Sequence, residues 1–185
     1  MAKIVEQTND DLVLRARTQS SALGQLYELY YERIFRFCVH RLFIKEIAED
    51  VTSTIFLEVA KQIRDFSGNT EKDFENWLYA IVANHTNAYI RKNSRRKKLL
   101  EEATRSIKIS SEDNTRELDW PCLYAAIVKL KPKYQTIITL RFFENLPYTQ
   151  IAQILQMKET TLRVTVHRIL DDLRNELKSV FGNEV

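Results

Sequence analysis

The chain has 185 residues, 44% hydrophobic and 29% charged, enough for one mid-sized domain or two small ones. Only 3 glycines and 3 prolines punctuate it, which argues against a strand-and-turn fold and for helices joined by short loops. The formal net charge of +3 says little about partners, so the distribution of charge must decide. Cys38 and Cys122 form no C-x-x-C pair and read as reduced thiols of a cytoplasmic protein. His40, His85 and His167 lack metal-ligand spacing, so neither metal nor cofactor is expected. The opening MAKIVEQTNDDL has no apolar core for export, and no apolar run is long enough to span a bilayer, so membrane insertion is not expected.

A short first helix is expected through DDLVLRART, capped by Asn9 or Asp10. Ser20 or Ser21 is the expected cap of the next, in which Leu23, Leu26, Tyr27, Tyr30, Ile34, Phe37 and Cys38 recur at helical spacing. In KEIAEDVTSTIFLEVAKQIRDF, Ile47, Val51, Ile55 and Val59 form one stripe, widened by Phe56 and Ile63. SGNTEKD is a loop by composition. The fourth helix, FENWLYAIVANHTNAYIRKNSRRKK, begins apolar and ends on Arg91, Lys92, Arg95, Arg96, Lys97 and Lys98, a longer basic run than the helix macrodipole calls for.

The polar stretch 99–119 reads as a flexible linker, helical at most at its start. The second unit, from Trp120, reads as helices CLYAAIVKL, KYQTIITLRFF, TQIAQILQ and ETTLRVTVHRILDDLRNELKSV, with Pro132 at a first-turn position. The expected architecture is therefore all-α: two small helical domains, residues 1–98 and 120–185, joined by that linker.

YTQIAQILQMKETTLRVTVHR has the outline of a helix-turn-helix. Ile151 and Leu155 are expected to face inward, Ala152 to permit close approach, Met157 to plug the turn, and Leu162 and Val166 to continue the inner face. Gln156 stands where such turns favour glycine, at a cost of about 1–2 kcal/mol that packing can offset.

The whole chain, roughly residues 12–174, resembles a bacterial sigma factor of the extracytoplasmic-function group of the sigma-70 family. LKPKYQTIITLRFFENLPYTQIAQILQMKETTLRVTVHRILDDLR looks like its region four. ALGQLYELYYERIFRFCVHRL with IAEDVTSTIFLEVA, followed by FENWLYAIVANHTNAYIRK, looks like its region two. Two motifs in the right order make the resemblance specific.

The resemblance implies binding to core RNA polymerase and to promoter DNA, both duplex and melted. Region two reads and melts the minus-ten element; region four reads the minus-thirty-five element. It carries the minus-ten contacts onto loop residues Ser67, Asn69, Thr70 and Lys72, onto Asn84, and onto Arg91, Lys92, Arg95 and Arg96. Such a strand needs a cationic groove and base-sized pockets. Trp77 matches a family tryptophan, though its apolar neighbours Leu78 and Ile81 make packing its first reading. In the recognition helix Arg163 and Arg168 are the strongest DNA candidates, with Thr160, Thr165 and His167 beside them and Val164 able to touch a thymine methyl. The family commonly has Ser-Arg at Val164-Thr165 and Ser at Lys158, so an unusual minus-thirty-five preference is expected.

The polymerase-docking face is implied for Glu49, Asp50, Ser53 and Thr54. Where the family usually reads AEDLTQEVF, this chain keeps Glu49 and Asp50 but has Ser53 and Thr54. Phosphorylation of Thr54, or less favoured Ser53, by a serine/threonine kinase would restore the lost negative charge. Drift at an exposed position, and control by an anti-sigma factor, stay open beside it. The competing reading is a stand-alone helix-turn-helix regulator. No phosphate loop, nucleophile elbow or metalloprotease motif is present, so catalysis is not expected.

Overall fold

The computed structural model describes residues 2–103 and 120–181, with side chains described over residues 9–94 and 123–178. Among these residues every regular element is helical: α1 (Ala2–Ala16), α2 (Ser20–Leu42), α3 (Lys45–Gln62), α4 (Glu71–Ala103), α5 (Trp120–Lys129), α6 (Pro132–Ile138), α7 (Tyr148–Ile154) and α8 (Glu159–Phe181). A 3-10 turn, Ile63–Asp65, ends α3, and a π-helical turn, Thr139–Phe143, follows α6.

In α2, Leu26, Tyr30, Ile34 and Phe37 fall on one face and are fully buried against α1, α3 and α4. Val51, Ile55, Phe56 and Val59 answer them from α3; Ile47 is only half-buried, and Ala48 and Thr52 take the inner positions beside the expected stripe. Phe74, Leu78, Ile81 and Val82 close this first core from α4. The second unit packs α5, α6 and α7 on α8 through Ile127, Ile137, Ile151, Leu162 and Ile169.

Several expected helix ends are corrected. The first helix begins at Ala2, so Asn9 and Asp10 lie inside it and cap a different helix: Asp10 Oδ1 accepts from the Glu71 N–H at 2.6 Å, and Asn9 donates to Glu71 Oε1 at 3.0 Å. Gln19, with no side-chain cap, precedes α2, and Ser20 is its first residue. The fourth helix starts at Glu71, which puts Lys72 in its first turn rather than in the loop, and runs to Ala103, into the stretch expected to be helical at its start. Residues 104–119 of the expected linker lie outside the described residues.

The two units are packed together, and α6 is the seam. Residues 135–140 are all buried, including Gln135 and Thr136, because the helix is enclosed on both sides. Arg41, in the last turn of α2, enters this seam and is 2% exposed. Its guanidinium donates to Gln135 Oε1, to Asn87 Oδ1 at 2.8 Å and to the Pro132 carbonyl at 3.2 Å. Gln135 is held by donating to the Val128 and Leu130 carbonyls at 3.0 and 2.8 Å. Burial lowers the Arg41 pKa to about 10, so the group stays charged at neutral pH.

A second polar contact crosses the seam at Glu144, which accepts from the Tyr79 hydroxyl at 2.7 Å and pairs with Arg33 at 3.4 Å. Burial, and then the Glu144 charge, push the Tyr79 phenol up and keep it a donor. Arg33 also bridges to Glu75, which accepts from Gln150 at 3.2 Å. Asn76 donates to Gln153 at 3.0 Å, and His40 packs its ring on Phe143, 4.4 Å between centroids.

Removing one side of so buried a network strands its acceptors, at a cost of about 2–4 kcal/mol. Arg41→Ala is expected to loosen the seam while each unit keeps its helices. Small-angle scattering should report a radius of gyration above the roughly 16 Å of a packed chain of this length, with the circular dichroism unchanged.

Candidate nucleic-acid and docking surfaces

The helix-turn-helix is α7, a turn at residues 155–158, and α8. Gln156 occupies the left-handed region with φ 50°, as the missing glycine required. The turn is held by Gln156 N–H to the Gln153 carbonyl at 3.2 Å and Met157 N–H to the Ala152 carbonyl at 2.9 Å. Ile151, Ala152, Leu162 and Val166 are buried as expected, but Ile154 is the deep residue where Leu155 was expected; Leu155 is half-buried.

Thr160, Arg163, Val164, His167 and Arg168 are exposed along α8, and Thr165 is half-exposed. Arg163 is pre-set by Glu159, to which its Nε donates at 2.9 Å, and its guanidinium lies 4.5 Å over the Tyr148 ring. Arg141 also lies 4.8 Å from the centre of the Tyr148 ring, and its Nη1 donates to the Leu146 carbonyl. Arg141 and Tyr148 were missed in the sequence, because the two arginines that meet on the tyrosine lie on either side of the turn and far apart along the chain. His167 sits 2.8 Å from Asp171, and the Thr165 hydroxyl donates back to the Thr161 carbonyl.

The second surface runs from the loop at residues 66–70 along α4. Trp77, Asn84, Ala88 and Arg91 share one face by helical spacing, and all but the half-buried Trp77 are exposed. Arg91 and Lys92 are exposed; the side chains of Arg95 and Arg96 lie outside the described residues. Trp77 packs on Phe66 with ring centroids 4.8 Å apart, so it joins loop to helix.

In the loop, Thr70 and Asp73 cap α4 reciprocally. The Asp73 N–H donates to Thr70 Oγ1 at 3.1 Å, and Asp73 Oδ2 accepts from the N–H groups of Asn69 and Thr70 at 3.1 and 3.2 Å. The Thr70 hydroxyl, first, and the Asn69 N–H hold the Asp73 carboxyl below its ordinary pKa. Thr70 is thus engaged in capping, while Ser67 and Lys72 are exposed. Arg17, in the turn after α1, reaches the loop from outside, donating to the Gly68 carbonyl and, at 3.4 Å, to Asn69 Oδ1.

The third surface is the outer face of α3. Glu49, Asp50, Ser53, Thr54 and Leu57 are all exposed. The Thr54 hydroxyl donates to the Asp50 carbonyl at 2.9 Å, and Lys45 pairs with Glu49 at 4.0 Å. An aromatic group not foreseen as part of this face adjoins it: Tyr27, 43% exposed, packs edge-on to Phe56 at 4.8 Å and beside Tyr31 at 5.2 Å. Burial, then Tyr27 and Glu49, raise the Tyr31 pKa. Leu57 at 58% exposure breaks the helical stripe, and that break is the signal in the sequence.

Among the described residues no group of three or more potential metal ligands occurs, and no helix is long and apolar enough to cross a membrane.

Comparison with known proteins matches a family described as Sigma-70 region 2 over residues 26–96 and one described as Sigma-70, region 4 over residues 121–173. The ECF RNA polymerase sigma factor BldN of Streptomyces coelicolor is 29% identical over 171 residues, 88% of this chain and 63% of that protein. The ECF RNA polymerase sigma factor SigW of Bacillus subtilis is 28% identical over 171 residues, 86% of this chain and 90% of that protein. In fold, the chain is similar to CnrH, solved in complex with the cytosolic domain of CnrY, with a TM-score of 0.67 at 18% identity, covering 92% of this chain and 97% of that one. It is also similar to the sigma factor RpoE of Bartonella quintana, solved with the anti-sigma factor NepR, with a TM-score of 0.61 at 19% identity, covering 84% and 96%.

Replacing Gln156 by glycine removes the left-handed strain but adds unfolded-chain entropy, a net gain of about 0.5–1 kcal/mol. Thermal unfolding of Gln156→Gly is expected to rise by about 2 °C.

Proposed function

The chain belongs to the extracytoplasmic-function group of the sigma-70 family, and from that premise we propose that it directs core RNA polymerase to promoters in the cytoplasm. The polymerase supplies the chemistry, and no residue here is assigned a catalytic role. The observation that carries the reading is the coexistence, on one chain, of an arginine-bearing helix-turn-helix and a separate aromatic and basic surface on a loop and helix. A regulator acting alone needs only the former.

On this reading α8 reads the minus-thirty-five element through Arg163 and Arg168, with Thr160, Val164, Thr165 and His167 beside them. The loop at 66–70, Asn84 and the basic end of α4 take the minus-ten strand. Glu49, Asp50 and Ser53, with Tyr27 and Leu57, dock on the polymerase. The two promoter elements are separated by roughly 25 base pairs, about 85 Å of duplex at ~3.4 Å per step. A packed chain of 185 residues, with a radius of gyration of about 16 Å, is too small to hold both at once. The seam around Arg41 therefore opens when the promoter is engaged.

Control by charge on α3 belongs to the same proposal. Phosphorylation of Thr54 or Ser53 by a serine/threonine kinase adds about −1.5 to −2 charges beside Glu49 and Asp50. The support is chemical: both hydroxyls lie on the exposed docking face. Sequestration by an anti-sigma partner is the other route.

Purified core polymerase with a promoter library tests the assignment. Wild type should bind promoter DNA weakly alone and tightly with core enzyme; the reverse order would make it a stand-alone regulator. Arg163→Ala should lower transcription at least ~10-fold with core affinity unchanged, as expected for one lost base contact. Thr54→Glu should bind core polymerase more tightly than Thr54→Ala; equal, tight binding by both and by wild type would remove the charge switch.

A further inference from the structure

We propose that Arg17 is a positioning residue for promoter reading: from the turn that follows α1 it sets the conformation of the loop at residues 66–70 and hence which base that loop accepts. The inference rests on the reading given under Proposed function. Arg17 and Asp10 lie outside residues 26–96, where the region 2 family matches.

Three contacts define the arrangement. The Arg17 guanidinium donates to the Gly68 carbonyl, the middle of the loop, and to Asn69 Oδ1 at 3.4 Å. It also lies 5.5 Å from the centroid of the Phe66 ring, which in turn packs on Trp77. One planar group thus fixes the first, middle and fourth residues of the loop. A lysine, with a single point of charge and no plane, cannot do all three.

Asp10, on α1, holds the far side of the loop by accepting from the Glu71 N–H at 2.6 Å, and the Glu71 carboxylate is gripped by Asn9 and Tyr30 at 3.0 Å each. The loop between Gly68 and Glu71 is therefore held at one end by α1 and at the other by the turn that follows it. It has no slack: a Cβ at Gly68 would come within 2.3 Å of the Phe66 ring and 2.5 Å of Asp73 Cβ. Starting α4 does not require Arg17, because Thr70 and Asp73 already cap that helix reciprocally. The Arg17 Nε is buried without a partner, so the guanidinium is placed by its loop contacts at the expense of one of its own donors.

A loop released at Gly68 samples several conformations, and a pocket shared among conformations discriminates poorly between bases. The effect belongs to base choice and strand melting, and α3 docking is untouched.

The test uses the full chain with core RNA polymerase and promoters randomised across the minus-ten element. Arg17→Ala should bind core polymerase within about twofold of wild type. It should lose about tenfold in preference at one position of the element and show less permanganate-reactive thymine in the melted strand. Arg17→Lys should recover only part of the preference. Gly68→Ala, which keeps the Arg17 side chain but forces Phe66 and the loop it holds to move, should broaden the same position. If Arg17→Ala lowers the thermal midpoint, Arg17→Lys and Gly68→Ala decide. Unchanged base preference in the variants would overturn the proposal. A wild-type protein that selects no promoter with core polymerase would instead overturn the sigma-factor reading, and this inference with it.

Discussion

A guanidinium buried between two helical units governs the form of this molecule. Arg41 reaches the seam because its partners there are neutral oxygens arranged around a planar fork: an amide, a second amide and a backbone carbonyl. Among the described residues no carboxylate pairs with it, and hydrogen bonding secures the group. Glu144, at the other end of the seam, follows a different rule: it is a buried carboxylate held by one hydroxyl and a more distant arginine, and one of its oxygens has no partner. A seam made this way is specific in geometry and moderate in strength, since buried ionic groups recover little more than their desolvation.

The surfaces with functional chemistry lie around this seam rather than within it. The α8 arginine face, the Trp77–Asn84–Arg91 face of α4 and the acidic face of α3 all remain exposed in the packed form. Other sides of α4, with Tyr79 and Asn87, are what the second unit covers. One long helix thus packs against the second unit on one side and keeps another side exposed.

Local pattern in the sequence was enough to find the helices and the helix-turn-helix, because each depends on residues three or four apart. Gln156 was legible as a left-handed position for the same reason, since a turn of that length has only one place for it. Asp10 was misread because acidic residues cap the helix nearest in space, and that helix lay sixty residues downstream. Arg41 gave no sign at all: a cation in a last helical turn is ordinarily a solvated partner of the macrodipole, and its true partners are 94 residues on at Gln135. Ile154 and Leu155 exchanged roles by one position, a shift of 100° that a seven-residue helix bounded by a tight turn cannot reveal through periodicity. For the site residues, the sequence identified which faces carry charge; only the fold showed that Thr70 is spent on a cap and that Arg163 already has a carboxylate and a ring beside it.

The seam also acts on affinity. If opening costs about 3 kcal/mol, roughly one molecule in 150 is open at any moment, and every partner that needs the open form binds weaker by that same factor. The packed state is then a toll levied equally on all such partners, whatever their own contacts. A partner that recognises the closed body escapes it entirely, and gains the advantage in any competition for a limited pool of this chain.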